Sequence, residues 1–373
     1  MIPPRYRTAQ GADRAARART GENERVKLWM KVGLLLVLAL LVAGVAGGMW
    51  LRTTLTRPHA SFAGDEVFVE IPAGESTAGS GRRLVEAGVL RDELTFRLAW
   101  RWYGSGRTLK AGEYRFTGAS TPAEVLDRVA RGDVYLLAIT FPEGLTAEEM
   151  GEVFARAGFG TAEQFVQAAA SPDAIRALDP EADTLEGYLF PDTYRVPRST
   201  TADSLVASMV ARFTQVFDDA WADAANARGL SVRQLVTLAS LVEKETARAE
   251  ERGQVAGVYH NRLRVGMPMQ CDPTVIYALK RAGRWDGNIT RADLQFDSPY
   301  NTYRYPGLPP GPIAQPGRAS LAAAARPDET SALYFVSRND GSHVFSDTLE
   351  EHNRAVREWQ IEYFRRQRQQ GGR

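Results

Sequence analysis

The chain has a single cysteine, Cys271, so no internal disulfide can form. Stability must come from packed cores, and a cysteine-rich zinc site is excluded. Cys271 itself reads as a small buried residue. Histidine is nearly as scarce. The four present, His59, His260, His343 and His352, form no HExxH pattern, which argues against a zinc hydrolase. The net charge of +1 holds no excess that would mark a nucleic-acid binder. No metal and no cofactor is expected. A composition of 44% hydrophobic and 24% charged residues over 373 positions is globular and allows two or three domains.

One segment lacks charge altogether. Val32 to Leu51, "VGLLLVLALLVAGVAGGMWL", is 20 residues without an Asp, Glu, Lys or Arg. At about 1.5 Å per residue it spans roughly 30 Å, the hydrocarbon core of a bilayer. Trp29 and Trp50 flank it as interfacial anchors do. Residues 1–31 hold eight basic against three acidic side chains, a net of +5. By the positive-inside rule this tail, low in apolar residues and without expected regular structure, stays in the cytoplasm and the rest lies outside. The length of the run and of the basic tail favours an anchor over a cleaved leader.

Beyond a linker at 52–65 the sequence repeats weakly at an offset of 70. "VEIPAGES" at 69–76 is similar to "ITFPEGLT" at 139–146, and "RRLVEAGVL" at 82–90 to "GEVFARAGFG" at 151–160. Each copy reads as strand, Pro-x-Gly turn, amphipathic helix, glycine stop. The first continues through a helix with Leu94, Leu98 and Trp102 on one face, a strand at "LKAGEYRFTG", and a helix capped near Pro122. A strand–helix–helix–strand unit of this size suits a small sugar-binding module. Residues 161–228 are mainly helical, interrupted by an aromatic loop at 185–197, "LEGYLFPDTYRVP".

The region 229–363 is the densest in unusual features. A helix starts at Ser231, which with Gln234 has capping-box spacing. A second covers "EERGQVAGVYHNRLRVG", and a third follows Asp272-Pro273. From 296 to 317 runs "FDSPYNTYRYPGLPPGPIAQPG", with six prolines and the rings of Phe296, Tyr300, Tyr303 and Tyr305. So long an irregular segment in a compact domain is usually functional. "ALYFVSRNDGSHVFSDT" reads as a hairpin, and "LEEHNRAVREWQIEYFRRQ" as a closing helix.

The chemistry centres on "LASLVEKETARAE", residues 238–250. On a wheel of about 100° per residue, Val232, Leu235, Val236, Leu238, Ala239, Leu241 and Val242 form a broad apolar arc. Thr237, Ser240, Lys244 and Arg248 fall opposite. Glu243 and Glu245 sit at the two margins of the arc. They point apart, so they cannot act across one bond as a two-carboxylate pair. A carboxyl bordering an apolar face is desolvated, which raises its pKa toward the range of a general acid. The plainer alternative is that each glutamate pairs with Lys244, Arg248 or Arg252. Periodicity does not choose between the two glutamates.

The stretches "EGYLFPDTY", "LASLVEKETARAEERGQVAGVYHNRLRVGMPMQCDPTVIYAL", "SPYNTYRYPGLPPGPIAQPGRASL" and "YFVSRNDGSHVFSDTLEEHN" resemble the YceG-like family of endolytic murein transglycosylases. They run in family order over most of residues 66–363. The resemblance implies that the second glutamate of "EKET", Glu245, is catalytic. Its Glu-Thr pair is similar to the Glu-Ser pair of lysozyme-like lytic transglycosylases. It implies an α+β chain with a single N-terminal transmembrane helix, a small LysM-like βααβ subdomain and a mixed α/β catalytic domain with a lysozyme-like catalytic helix. The boundaries are a cytoplasmic basic tail at 1–31, the transmembrane helix at 32–51, the linker, the LysM-like subdomain at 66–133, a connecting α/β region at 134–228, the catalytic core at 229–363 and a polar tail at 364–373.

The implied activity is cleavage of the bond between N-acetylmuramic acid and N-acetylglucosamine, leaving 1,6-anhydro ends and terminating nascent strands. The supporting residues expected near the substrate are Glu243, Glu186, Tyr188, Gln270, Asp272, Asn301, Thr302, Tyr303 and His343. For each, loop packing or turn formation competes with substrate contact, and His343 leans toward a structural role. The implied partners are peptidoglycan glycan strands, the inner membrane and cell-wall synthases of elongation or division. The rival reading is a non-catalytic peptidoglycan-binding scaffold of the synthesis machinery.

Overall fold

The computed structural model describes residues 10–371, and the side chains of residues 27–369. The chain divides into two compact units, Met1–Tyr135 and Leu136–Arg373.

The first unit opens on α1 (Gln10–Thr56), which contains one stretch, Lys27–Thr56, long and apolar enough to cross a membrane. α1 is longer at both ends than the expected 32–51 because no proline lies between Pro4 and Pro58 to stop it. The basic tail, read as irregular, is therefore helical from Gln10, while residues 1–9 lie outside the described residues. The large apolar side chains of the stretch are exposed, Leu34 and Leu40 by 71% and 72%. The segment read as a linker is docked onto the unit. Leu55 is buried in its core, and His59 and Ser120 exchange backbone hydrogen bonds at 3.0 and 3.2 Å.

The rest of this unit is β1 (Val67–Ile71), α2 (Thr77–Glu86), α3 (Glu93–Tyr103), β2 (Gly112–Phe116) and α4 (Pro122–Arg131). The strands pair antiparallel, Val67 opposite Phe116 and Ile71 opposite Gly112. α4 starts at a capping box between Thr121 and Glu124 with Pro122 at its first turn. The core gathers Leu84, Phe96, Tyr114, Val125 and Val129.

The second unit repeats that order: β3 (Leu137–Thr140), α5 (Ala147–Arg156), α6 (Ala162–Ala170), β4 (Thr193–Val196) and α7 (Ala202–Val216). β3 and β4 pair antiparallel, Leu137 opposite Val196. α5 lies 70 residues after α2 at both ends, and Gly74 and Gly144 share a left-handed turn (φ 79° and 77°) that a side chain would strain. The faint repeat is thus one βααβα architecture used twice. The aromatic loop expected at 185–197 differs in its last third, since residues 193–196 form β4. The Tyr194 hydroxyl ties that strand back to the Phe190 carbonyl at 2.7 Å.

There follow α8 (Asp219–Asn226), α9 (Val232–Glu245), α10 (Arg252–Arg264), α11 (Asp272–Arg281) and α12 (Arg318–Ala325). A hairpin of β5 (Tyr334–Ser337) and β6 (His343–Ser346) turns through the left-handed Asn339 and Gly341. α13 (Leu349–Val356) passes through a π-helical turn at Arg357–Glu362 into α14 (Tyr363–Gly371).

α9 is the axis of this unit and packs against α8, α10, α11 and α12. Leu235, Val236, Leu238, Ala239, Leu241 and Val242 are wholly buried, as the apolar arc requires. The opposite face is not solvated as expected. Thr237 and Ser240 are buried too, because the proline-rich segment lies over them and Ile313 N–H donates to Ser240 Oγ at 3.1 Å. Ser240 and Thr237 turn their own hydroxyl protons onto backbone carbonyls of Thr237 and Arg233.

Candidate active site

α9 begins where the sequence signals it, with Ser231 and Gln234 exchanging capping bonds at 2.9 and 3.2 Å. It ends at Glu245. Thr246 is extended, and its N–H closes the last turn on the Val242 carbonyl at 3.1 Å. Glu245 therefore stands at the negative end of the helix dipole, where a carboxylate is disfavoured. The residue is only partly exposed, and the protein packed around its carboxyl pushes its pKa up. Asp272 pushes in the same direction, while Cys271, His343 and Arg262 pull it down. Among the described residues Glu245 has no ion pair, so the expectation that each glutamate meets a basic side chain fails for this one.

The groups around Glu245 come from four elements. Cys271, just before α11, donates its thiol proton to Glu245 Oε1 at 3.2 Å. Its backbone is pinned by Thr302 Oγ1, which accepts from Cys271 N–H at 3.1 Å, and by Thr274 Oγ1, which donates to the Cys271 carbonyl at 2.7 Å. Asp272 opens α11, and its carboxylate accepts from the Tyr303 hydroxyl at 2.5 Å. α10 contributes Tyr259 and the buried Arg262. The Arg262 guanidinium donates to Leu333 O at 2.7 Å and to the Met269 carbonyl, which fixes the chain just before Cys271. From β6, His343 Nδ1 meets Glu251 at 2.7 Å and its N–H donates to the same carboxylate.

Glu243 has a different fate. One oxygen accepts from Gly317 N–H at 3.0 Å, and the other lies 3.9 Å from Arg252, the pairing that its position suggested. Beside it Glu143 is pushed up by burial and by the Glu243 charge.

The remaining expected residues divide. Asn301 is fully buried. Its amide donates to Leu294 O and Phe296 O, and its oxygen accepts from Tyr303 N–H, so it builds the loop from within. Thr302 is buried under Cys271. Gln270 is exposed with a left-handed backbone (φ 48°), its N–H on Thr302 O. Glu186 and Tyr188 do not join Glu245. They line a cavity of about 500 Å³ with Arg233, Arg281, Phe296 and Tyr300. That cavity lies at the C-terminal end of α11, roughly 15 Å along the helix from Asp272. Burial pushes the Glu186 carboxyl up to about 8, and it accepts from Gln315 Nε2 and Ala147 N–H. Tyr188 donates to Asp179 at 2.5 Å and packs edge-on to Phe213.

Sequence reasoning missed Tyr259 and Arg262; Cys271 is the small buried residue it was expected to be, and its contact with Glu245 comes in addition. Nothing in periodicity marks them, because each meets Glu245 only through tertiary packing.

A family model described as the YceG-like family matches residues 69–358. A protein of Bacillus subtilis named endolytic murein transglycosylase is 32% identical over 83% of this chain and 90% of its own length. A Streptococcus pneumoniae protein of the same name is 31% identical over 88% of this chain, which spans 64% of the pneumococcal length. A crystal structure of a yceG-like protein from Listeria monocytogenes superposes with a TM-score of 0.53 at 31% identity, covering 78% of this chain and 98% of the other.

Proposed function

The chain belongs to the YceG-like family, and from that premise we propose that it is a membrane-anchored endolytic peptidoglycan lytic transglycosylase. The observation that carries the reading is Glu245. It is a desolvated carboxyl at a helix C-terminus, without an ion pair among the described residues, and burial raises its pKa in the direction a general acid needs.

Glu245 donates its proton to the glycosidic oxygen between N-acetylmuramic acid and N-acetylglucosamine, and the C1–O bond breaks. Positive charge develops at C1 and is shared with the ring oxygen. The C6 hydroxyl of the muramoyl residue then attacks C1 and returns its proton to Glu245. A 1,6-anhydro ring forms, no water is consumed, and the acid is regenerated. One carboxyl serves twice. Asp272, already engaged by Tyr303, stabilises positive charge nearby instead of activating water.

The apolar stretch of α1 anchors the chain in the inner membrane. The net +5 of residues 1–31 keeps the N-terminus in the cytoplasm and sets the glycan-cutting unit outside it. From there the enzyme terminates nascent strands beside the synthases. The LysM-like first unit holds the strand.

The test is a digest of purified peptidoglycan by the full chain in detergent, with end groups read by mass spectrometry. Anhydro ends from the native protein and none from Glu245→Gln are expected. Reducing ends that have gained water would mean a hydrolase with Asp272 as second carboxylate. Glycan binding without any cleavage would mean a scaffold.

A further inference from the structure

Three features lie outside that mechanism: the cavity at the far end of α11, the Glu143–Glu243–Arg252 cluster, and the thiol of Cys271. The cavity's charged walls are largely satisfied internally, Arg233 by Asp179, Asp183 and two carbonyls. The cluster is closed over Gly317, where even a Cβ would collide with Glu143 at 1.8 Å. The thiol is different, because it touches the acid itself.

We propose that Cys271 is a positioning residue that sets the proton affinity of Glu245, with Tyr259 behind it. The inference rests on Glu245 being the catalytic acid. Its geometry is a chain of three groups. A thiol has one proton, and that proton lies toward Glu245 Oε1 at 3.2 Å. The buried Tyr259 hydroxyl interacts with the same sulfur from behind, and because the thiol proton is turned to Glu245 the sulfur can only accept from it. Tyr259 and Cys271 are both about 1% exposed, so water does not substitute for either contact.

The sulfur is held there by three separate ties and one turn. Thr302 and Thr274 fix the Cys271 backbone, and Arg262 fixes the carbonyl of Met269 two residues earlier. Gln270 adopts a left-handed backbone so that the chain can turn into α11. Burial keeps the thiol protonated, so it remains a donor whether Glu245 is neutral or ionised.

The chemical point is that S–H is a weak donor. An acid that must also act as base has to favour the neutral form without losing the anion altogether. A hydroxyl in this position would hold the carboxylate too firmly, and a position with no donor would leave it too costly to form. The other groups that face Glu245 are Asp272 on α11, Arg262 on α10, His343 on β6 with its partner Glu251, and Tyr303 on the loop. None of them contacts the carboxylate at hydrogen-bond distance among the described residues, which leaves the thiol as the direct donor.

The experiment is the pH–rate profile of anhydro-end formation by the full chain in detergent. It uses the native protein, Cys271→Ser, Cys271→Ala and Tyr259→Phe, with melting temperatures measured alongside. The activity is lost on the alkaline side as Glu245 ionises. Cys271→Ser, a stronger donor, moves that limb down by about half to one pH unit. Cys271→Ala moves it up, and Tyr259→Phe moves it up by less. Damage to packing alone cannot drive the serine and alanine variants in opposite directions. A limb that stays in place in both, or shifts the same way in both, overturns the proposal. It would do so with the enzyme reading intact if Glu245→Gln is still inactive. Full activity of Glu245→Gln overturns the enzyme reading and this inference together.

Discussion

Glu243, two residues from Glu245, accepts the backbone N–H of Gly317 at 3.0 Å from a side chain that is 7% exposed. The two glutamates leave α9 on opposite sides, and this bond commits Glu243 to holding the end of the proline-rich segment where α12 begins. Glu243→Ala leaves Gly317 N–H and Arg252 without that carboxylate and is expected to cost about 2–4 kcal/mol of stability. Glu245→Gln is expected to leave the melting temperature within a few degrees while removing about 100-fold or more of the activity. Thermal melts and end-group assays on both variants check this. Equal loss of stability in both would remove the distinction.

Glu186 makes the second unit sensitive to alkali. Its pKa is pushed from the usual carboxylate value to about 8. The group is raised in the folded state, so its contribution is fully present below its unfolded pKa near 4.5 and is lost as pH rises through 8. Stability should fall by a few kcal/mol between those limits, and Glu186→Gln should flatten the fall. Denaturant melts at pH 5, 7 and 8.5 read it. Parallel slopes in both proteins would refute the assignment.

Ser240 is a polar residue in a place where the helix wheel expected water. Its hydroxyl accepts Ile313 N–H at 3.1 Å inside the core. Ser240→Ala strands that N–H and is expected to cost about 1–3 kcal/mol. Ser240→Val adds bulk against the covering segment and costs more. Hydrogen exchange at Ile313 gives the direct readout, since its protection should drop first.

The end of α1 belongs to the first unit as well as to the apolar stretch. A truncation that starts at Leu51 keeps the buried Leu55 and should leave a folded unit that no longer partitions with membranes. Starting at Arg57 removes Leu55 as well and is expected to cost that unit about 1.5–3 kcal/mol. Flotation and melting of the two truncations, measured side by side, separate anchoring from packing.

Much of the fold was legible in local pattern. The capping box at Ser231, the cap before Pro122, the Pro-x-Gly turns of the repeat, the Asn-Asp-Gly hairpin and the apolar arc of α9 each rest on neighbours within a few residues. So did the placing of Glu243 and Glu245 at the margins of that arc. Residues 193–196 carry an alternation only four residues long, too short to mark a strand locally, and pairing with β3 makes them one.

The sequence by itself determined which helix carries the two carboxyls and that they diverge, because a 3.6-residue period fixes directions around one axis. Only the tertiary structure decided what each meets. Gly317 lies 74 residues from Glu243, Cys271 lies 26 from Glu245, and Ile313 lies 73 from Ser240. Desolvation and hydrogen bonding at these groups depend on which distant segments pack over them. A wheel drawn for one helix holds no information about what covers it.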